Sequence, residues 1–398
     1  MLTVAAFYFN PGLQVARQAV HVAEAGKVTA AERPNPSLNI AAGYATFPGA
    51  PWVFEFLPSV PIETAGKRRH RIELANREAE AARFAFGEAA WQVRTQLRQA
   101  LVDYFDSSRR IGVFRTERDL DEATVNVYAA LLRAGEEPGP PLAAARSQLD
   151  TADVYLRTAE GARAASRAAV AEAIGLPVAA LEGLTLTWQD YARPRPVLAP
   201  APVQRSALLN RLDVCRALAD YASADAALRL EVARQYPNIN LNPAYQFEEG
   251  ANMYTIGPAL VLPVLNHNQG PIAESEAQRK QAADVFLDVQ AAAAGETERA
   301  LAAYRGALAA LDDASTLVAQ RTGEVRFERA LVQRGETSQL SLLAASLQRA
   351  GADAAWVDAV RNSQTALGAL ETAMERPMDP GWALPPLTAP AAGSGGRP

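Results

Sequence analysis

The segments LNIAAGYATF (38–47) and WVFEFLPSVPIE (52–63) are joined by a short turn, and so are INLNPAYQF (239–247) and YTIGPALVLPV (254–264). Apolar and polar residues alternate along all four segments, which predicts two antiparallel β-hairpins. Each hairpin leads into a stretch without proline, the first ending at Pro138 and the second at Pro377. The same hairpin-and-helix unit therefore occurs twice, about 200 residues apart, and this duplication predicts internal pseudo-symmetry.

The alternation gives each predicted strand one apolar and one polar face, because successive side chains point to opposite sides of a sheet. An apolar face opposite an amide-rich face is typical of a transmembrane strand with lipid outside and water inside. The expected lipid-facing set comprises Trp52, Phe54, Phe56, Ile239, Leu241, Tyr245 and Phe247. The expected lumen-facing set comprises Glu55, Asn238, Asn240, Asn242, Gln246 and Glu248.

A small antiparallel sheet with one face on a soluble core would show the same alternation. The number of strands bears on the choice between the two interpretations. Four strands with lipid on one face would leave unpaired backbone groups at both edges of the sheet, which is costly in a membrane. Transmembrane strands would therefore have to close by joining copies of the chain, so this interpretation predicts an oligomer.

The proline-free stretches predict long helices that are each broken once. Residues 64–133 would form a continuous helix on the order of 100 Å long, deeper than any globular core. Their apolar residues recur at spacings of three, four or seven, which indicates a narrow coiled-coil seam. The breaks fall at Arg133-Ala134-Gly135-Glu136 and at Gln333-Arg334-Gly335-Glu336. Each glycine is placed to take a positive φ between two helices that return alongside one another.

These patterns divide the chain into eight segments. We predict a helix at 1–36, β-hairpin 1 at 37–63, helical hairpin 1 at 64–176, a Pro-rich linker at 177–202, a helix at 203–236, β-hairpin 2 at 237–265, helical hairpin 2 at 266–376 and a tail at 377–398. TLTWQ (185–189) is a candidate strand within the linker. The tail is rich in Pro, Gly and Ala, and its composition favours a disordered or loosely attached segment.

Composition and motifs argue against several classes of function. The net charge of -5, with both signs interspersed, disfavours a nucleic-acid partner. The single cysteine, Cys215, and three scattered histidines form no metal-binding pattern. Gly66-Lys67-Arg68 lacks the spacing of a phosphate-binding loop. We therefore expect no enzyme, no cofactor and no metal site.

Glycines, prolines and basic residues mark the places where the predicted strands give way to the long helices. We assign Pro61, Gly66, Lys67, Arg68, Pro263 and Gly270 to these strand–helix junctions. No apolar stretch approaches the roughly 20 residues of a membrane-spanning helix. The first ten residues, MLTVAAFYFN, also lack the features of a signal peptide.

The motifs RPNPSL (33–38), PIETAGKRRHR (61–71) and GPALVLPVLNHNQGPIAE (257–274) resemble the outer-membrane factor family of bacterial efflux systems, the TolC-like proteins. PIETAGKR is most similar to the branch that works with heavy-metal exporters of the resistance-nodulation-division type. The resemblance extends from residue 9 to about residue 375. It implies an α+β membrane protein in which three chains build one twelve-stranded β-barrel in the outer membrane, continued into the periplasm by an α-helical tube.

The resemblance also implies a function and a set of partners. The homotrimer would be the passive exit duct of a tripartite efflux pump, with heavy-metal cations as candidate substrates. Its coiled-coil tips would contact a periplasmic adaptor through Arg133, Gly135, Glu136, Arg334, Gly335 and Glu336, and through the adaptor would reach an inner-membrane pump. The alternative is a soluble coiled-coil scaffold with a small capping sheet.

Two departures from the family pattern affect these expectations. The signal peptide and the lipidated amino-terminal cysteine of many members are missing, so we expect an incomplete N-terminus. Some members carry acidic residues six and nine positions after the tip glycine, where they form a ring at the periplasmic mouth. Here those positions are Ser341 and Ala344, so the resemblance does not predict that ring.

Overall fold

The computed structural model describes residues 2–44, 46, 52–184, 186, 199–248 and 250–378. The first half contains α1 (Leu2–Phe9), α2 (Pro11–Ala31), β1 (Ser37–Tyr44), β2 (Trp52–Ile62), α3 (Lys67–Ala134) and α4 (Gly139–Ile174), followed by a short 3-10 turn at Val178–Leu181. The second half contains α5 (Pro200–Asn210), α6 (Leu212–Arg234), β3 (Ile239–Glu248), β4 (Ala251–Leu260), α7 (Gln269–Arg334) and α8 (Gln339–Met374). Two β-hairpins, each followed by a long helical hairpin, therefore repeat as the sequence indicates.

The chain divides into two compact units. The sheet unit consists of Val15–Gly87 and Leu212–Ala291, and it contains all four strands. The helical unit consists of Met1–Gln14, Glu88–Arg211 and Ala292–Pro398. The long helices α3 and α7 contribute residues to both units.

The four strands form one antiparallel sheet in the order β1-β2-β3-β4. The two repeats meet at the centre of this sheet, where β2 pairs with β3 and Phe54 lies opposite Phe247. On the two outer ladders, Ile40 lies opposite Phe56 and Tyr245 lies opposite Tyr254. Because residues opposite one another share a face, this register joins the four alternating patterns into two continuous faces.

Several strand boundaries differ from the predicted ones. β1 ends at Tyr44, and the turn that was expected after residue 47 lies outside the described residues, as does the TLTWQ candidate strand apart from Leu186. β3 begins one residue after Asn238. β4 covers Ala251–Leu260, so the predicted strand residues 261–264 lie beyond it, and Val264 N donates to Leu262 O at 2.9 Å in a tight turn. Of the predicted tail, residues 379–398 lie outside the described residues.

The core of the helical unit is built from facing apolar side chains of several helices. One cluster groups Tyr304, Leu367, Leu370 and Met374 with Val203 of α5. A second cluster joins α3 to α7 and α8 through Phe105, Leu311, Ala359 and Val360. On α3 the largest fully buried side chains are Leu97, Val102 and Phe105, whereas Leu101 and Tyr104 are half-buried. The buried face of α3 is wider than one seam because this helix contacts both α4 and α8.

A buried ion pair links α3 to α8 across 277 positions of sequence. Arg94 donates to the Glu371 carboxylate at 2.8 Å, and Arg98 lies 3.4 Å from the same oxygen. The other Glu371 oxygen accepts from the backbone N–H of Met378 at 2.8 Å. Glu371 is 1% exposed. Removing one partner of such a pair leaves an unpaired charge away from water, which is strongly destabilising. The pair therefore favours the one alignment of α3 and α8 in which it is formed.

We expect Glu371→Gln to destabilise the protein by on the order of 3–5 kcal/mol, the usual cost of breaking a buried ion pair from one side. The measurement is the free energy of unfolding in denaturant. The matched control is Glu160→Gln, which breaks the exposed Arg115–Glu160 pair of 3.3 Å in the same unit. Exposed pairs contribute little, so equal effects of the two changes would contradict the role assigned to Glu371.

Candidate functional site

The sheet carries one continuous apolar face. Its described members are Leu38, Ile40, Ala42, Tyr44, Trp52, Phe54, Phe56, Pro58, Val60, Ile62, Ile239, Leu241, Pro243, Tyr245, Phe247, Tyr254, Ile256, Pro258 and Leu260. Trp52 is 55% exposed and Tyr254 is 77% exposed. A soluble sheet would bury such a face against its core, and an exposed apolar surface of this kind marks an interaction surface.

Aromatic side chains reinforce this face across the strands. Tyr44 meets Trp52 edge-on with ring centroids 5.4 Å apart, and Tyr245 lies 5.2 Å from Tyr254. Phe54 joins the two repeats through Phe247 at 6.5 Å. Aromatic cross-strand pairs of this kind stabilise a sheet beyond their buried area. All seven residues that the sequence predicts as lipid-facing lie on this face.

The opposite face of the sheet holds most of the predicted lumen-facing residues. Glu55 and Gln246 are cross-strand partners, and the Gln246 amide donates to the Glu55 carboxylate at 2.9 Å. Asn240 and Asn242 lie on the same face and are half-buried, while Glu248 is exposed. Asn238 is an exception, because it precedes β3 and its side-chain oxygen accepts from Lys67 Nζ at 2.6 Å. Asn238 therefore belongs to the strand–helix junction.

The first strand–helix junction is built around the amino-terminal end of α3. Ala65 and Gly66 have positive φ values of 53° and 69°, which turn the chain from β2 into the helix. Lys67 Nζ donates to the Tyr236 carbonyl oxygen at 2.5 Å as well as to Asn238, and Thr64 Oγ1 donates to the Pro237 carbonyl oxygen at 2.6 Å. Burial lowers the pKa of the Lys67 ammonium, an effect that the Glu63 carboxylate opposes and the Arg234 charge reinforces.

Two arginines of the same junction hold the end of α2. Arg68 Nε donates to the Ala31 carbonyl oxygen at 2.7 Å, and Arg71 Nε donates to that of Ala30 at 2.9 Å. Arg71 also pairs with Glu63 at 2.7 Å. The last carbonyls of a helix lack intrahelical partners and attract positive charge. The basic run at 67–71 therefore supplies hydrogen bonds to the chain entering from both repeats, and sequence reasoning identified Lys67 and Arg68 but missed Thr64 and Arg71.

The second junction uses an asparagine where the sequence suggested a glycine. Asn268 has a positive φ of 61°, while Gly270 lies within the first turn of α7. The Asn268 amide donates to the Glu231 carbonyl oxygen at 2.8 Å and to its carboxylate at 3.0 Å. Pro263 lies between β4 and α7, and Pro61 lies within β2 opposite Asn240. The tolerance of asparagine for positive φ is the signal that could have identified Asn268.

The turns of the two helical hairpins have the same backbone geometry. Gly135 and Gly335 have φ values of 74° and 73°, as the sequence predicts. Gly135 N donates to Leu132 O at 3.1 Å and Glu136 N to Leu131 O at 3.0 Å, and the residues 200 positions later repeat both bonds at 3.0 Å. This pair of bonds is the Schellman motif that ends a helix.

The charged residues of these turns are exposed, but they are not all without partners. Arg334 Nε lies 3.6 Å from the Glu336 carboxylate, and both side chains are more than half exposed. Arg133 Nε donates to Ala129 O at 3.1 Å. Arg133 and Arg334 therefore each contact a residue of their own helical hairpin.

The described residues contain no group of three or more His, Cys, Asp and Glu side chains that could hold a metal ion. One acidic pair, Glu117 and Asp121, lies a helical turn apart on α3. Burial raises the pKa of both carboxyls, and the Asp121 charge raises the pKa of Glu117 further. At the positions of the family's acidic ring, the backbone N–H of Ser341 donates to Ser338 at the start of α8, and Ala344 is exposed.

Within the described ranges, none of the helices combines the length and the apolar character needed to cross a bilayer. The duplicated unit of β-hairpin and helical hairpin, with its four strands in one sheet, is a fold shared with outer-membrane channel proteins of known structure. The structure matches MtrE, the outer membrane channel of Neisseria gonorrhoeae in its open state, with a TM-score of 0.77 at 17% identity over 94% of this chain and 88% of that chain. It matches CusC with a TM-score of 0.75 at 18% identity over 94% and 91% of the two chains.

The comparison of sequences points to the same group. The cobalt-zinc-cadmium resistance protein CzcC of Cupriavidus metallidurans is 24% identical over 246 residues, 58% of this chain and 54% of CzcC. The chain thus spans about half the length of the curated relative that it matches. No protein-family model matches the chain. The resemblance to the TolC-like outer-membrane factors, and to their heavy-metal branch, is confirmed.

The same glycine-to-alanine substitution should change the free energy of unfolding in opposite directions at a turn and within a helix. We expect Gly335→Ala to destabilise the protein by roughly 1–2 kcal/mol, because an alanine pays a steric cost at positive φ. Gly323→Ala, within α7, should stabilise it by roughly 0.5–1 kcal/mol. A Cβ at either position meets nothing within 4 Å, so the comparison isolates the backbone conformation. Free energies of unfolding that change in the same direction would contradict the assigned turn geometry.

Proposed function

We propose that this chain is one protomer of a homotrimeric exit duct in the bacterial outer membrane. The sheet forms part of a β-barrel in the bilayer, and the helical hairpins form part of a tube in the periplasm. Substrate passes along the lumen passively. The duct needs no catalytic group, because the driving energy enters at an inner-membrane pump.

The observation that carries this proposal is the exposed apolar face shared by all four strands. It combines aromatic and branched aliphatic side chains from both repeats, and the cross-strand register keeps them on one side of the sheet. The Glu55–Gln246 pair, Asn240 and Asn242 occupy the other side, whereas Asn252, opposite Phe247, is a polar member of the apolar face. Lipid satisfies the first face and lumen water the second, as in transmembrane barrels.

The edges of the sheet support a trimer. β1 and β4 each pair with only one described strand, so each keeps a row of backbone donors and acceptors on its outer side. Such groups cost several kcal/mol each in hydrocarbon when they stay unpaired. Three copies joined edge to edge give twelve strands and a closed barrel, which is the arrangement that the family resemblance implies.

The turns of the helical hairpins suggest where other proteins bind the duct. The two helical hairpins end in the Schellman turns at Gly135 and Gly335, and their exposed charges suit a protein partner. We assign these turns to a periplasmic adaptor, which connects the duct to a pump of the resistance-nodulation-division type. Heavy-metal cations are the candidate substrates, because the similar protein CzcC is named for cobalt, zinc and cadmium resistance.

The two faces of β3 can be distinguished by cysteine labelling in cells. Cys215, the one native cysteine, is first replaced by alanine. We expect Asn240→Cys, on the lumen face, to react with a membrane-impermeant maleimide, and Leu241→Cys, on the lipid face, to be spared. The measurement is the labelled fraction of each variant in purified outer membranes.

Equal labelling of the two cysteines would exclude the barrel and favour the soluble scaffold. The same preparations provide a control for assembly. Light scattering in detergent, corrected for bound detergent, should give about three times the chain mass of 42.5 kDa. A stable monomer that stays dispersed without detergent would contradict the trimeric duct.

The docking role of the tips can be tested without loss of the local ion pair. In the double variant Arg334→Glu/Glu336→Arg the two charges exchange places, so the pair within the chain is retained. We expect cross-linking to the cognate adaptor to fall at least tenfold, because the partner meets reversed charges. Trimer mass and outer-membrane insertion should not change.

The matched control is the exchange Arg115→Glu/Glu160→Arg, which reverses an exposed pair on α3 and α4 away from the turns. This control should cross-link to the adaptor as the parent chain does. Full cross-linking of the tip variant would show that the adaptor docks elsewhere. Loss of the trimer in the tip variant would assign the turn a structural role instead.

A further inference from the structure

A polar groove lies in the sheet unit where the strands end and the long helices begin. Its volume is about 480 Å³, and it lies between the connection from α6 to β3, the segment after β4 and the first residue of α3. The residues that matter here are Lys67, Arg234, Asn238, Leu262 and Val264. Hydrogen bonds of Lys67 to Tyr236 and Asn238 fix one wall of the groove.

The groove contains a buried cation with no carboxylate at ion-pair distance among the described residues. Lys67 is 9% exposed, and its two hydrogen-bond acceptors are neutral oxygens. The Glu63 carboxylate raises the pKa of Lys67 through space, but it forms its ion pair with Arg71 at 2.7 Å. An ammonium has three N–H donors, so one donor of Lys67 is not accounted for by these two bonds. Burying a charge without a counter-charge is costly, and an anion in the groove would remove this cost.

A second cation lines the same groove. Arg234 ends α6, forms an ion pair with Glu231, and is about half exposed. Glu231 also accepts a hydrogen bond from Asn268, so its carboxylate is shared between two donors. Lys67 and Arg234 together carry two positive charges against the single negative charge of Glu231. The groove is therefore cationic by one charge.

One rim of the groove is strongly apolar. Val261, Leu262, Val264 and Leu265 follow β4 directly, and Leu265 is 91% exposed. β4 ends at Leu260, which lies on the apolar face of the sheet, and these four exposed side chains follow it directly. Exposed apolar surface therefore continues from the end of the strand to the groove that the two cations line.

We propose that this groove binds the phosphodiester headgroup of a membrane phospholipid, with Lys67 and Arg234 on the phosphate and the apolar segment 261–265 against the acyl chains. This inference rests on the proposed function, which places the helical ends of the strands at the periplasmic leaflet. Basic pockets beside membrane segments bind lipid headgroups through the attraction between their positive charges and the phosphate. A soluble phosphate would use the cations but not the apolar rim, so the two features together select a lipid.

The duplication shows that the groove is not simply a requirement of the repeated fold. Gly66, the positive-φ residue before α3, corresponds to Asn268 before α7, so the uncharged Gln269 occupies the position of Lys67 in the second repeat. The second junction is held instead by the amide of Asn268. The strand–helix turn can therefore be built without a buried ammonium. The groove lies between the two junctions, because Lys67 lines it from the first and Asn268 from the second.

The test is isothermal titration calorimetry of the full chain in a non-ionic detergent, with three probes. These are dihexanoyl phosphatidylglycerol, inorganic phosphate and dihexanoylglycerol, which has the acyl chains but no phosphate. We expect saturable binding of the phosphatidylglycerol only. Arg234→Gln should weaken this binding at least tenfold, because it removes a charge-assisted hydrogen bond to the phosphate. Lys67→Met should abolish the binding.

The control variant is Arg229→Gln, which changes an exposed arginine one turn earlier on α6 that pairs with Asp225. Its binding should equal that of the parent chain. Lys67 also holds the junction, so Lys67→Met lowers the stability of the sheet unit as well as removing a charge. Arg234 is half exposed, and Arg234→Gln is therefore the deciding variant. Unchanged binding in Arg234→Gln would overturn the proposal. Phosphate that binds as tightly as the lipid would show a free-anion site instead.

Failure of this inference can be told apart from failure of the proposed function. If the faces of β3 label as expected and the chain fractionates with outer membranes, but no probe binds, only the headgroup site is wrong. If both faces of β3 label equally, the chain does not lie in a bilayer as proposed, and a phospholipid site loses its basis.

Discussion

The pairing of β2 with β3 is the interaction on which the rest of the sheet unit depends. Each repeat contributes one hairpin, and a hairpin alone is marginal in water and cannot be closed in lipid. The central ladder joins the two hairpins in a register that places Phe54 beside Phe247 and Glu55 beside Gln246. A shift by one residue would exchange the two faces of one hairpin relative to the other. The continuous apolar surface exists only because this register is kept.

The strand–helix junctions show how a duplicated unit can diverge while its geometry is maintained. Both junctions need a residue with positive φ and a side chain that satisfies backbone carbonyls at a helix end. The first uses Gly66 with Lys67, Arg68 and Arg71, and the second uses Asn268 alone. The first junction contributes a buried cation to the groove, and the second contributes the neutral amide of Asn268 to the same groove. In the second copy of the duplicated unit, an asparagine side chain therefore hydrogen-bonds the helix-end carbonyl that basic side chains bond in the first.

The helical unit combines a simple repeated pattern with a few specific contacts. Its long helices need only small and apolar residues at regular spacings, and glycines at the two turns. Their alignment is fixed further by polar contacts between distant residues, such as Ser107 with Ser166 and Arg94 with Glu371. A buried ion pair contributes little net stability but strongly penalises arrangements in which it is broken. We regard these contacts as devices that select one alignment of the helices.

The sequence alone determined the features that depend on local periodicity and backbone conformation. The alternation at Ile239, Leu241, Tyr245 and Phe247 defined the apolar face of β3, and the glycines at 135 and 335 located both helix ends, because these signals lie within a few residues. Only the tertiary structure decided which distant groups meet. It moved Asn238 from the lumen set to the junction, gave Lys67 its two acceptors, and placed Glu371 against Arg94. Hydrogen bonds and ion pairs between residues far apart in sequence depend on register and packing, and no local pattern encodes them.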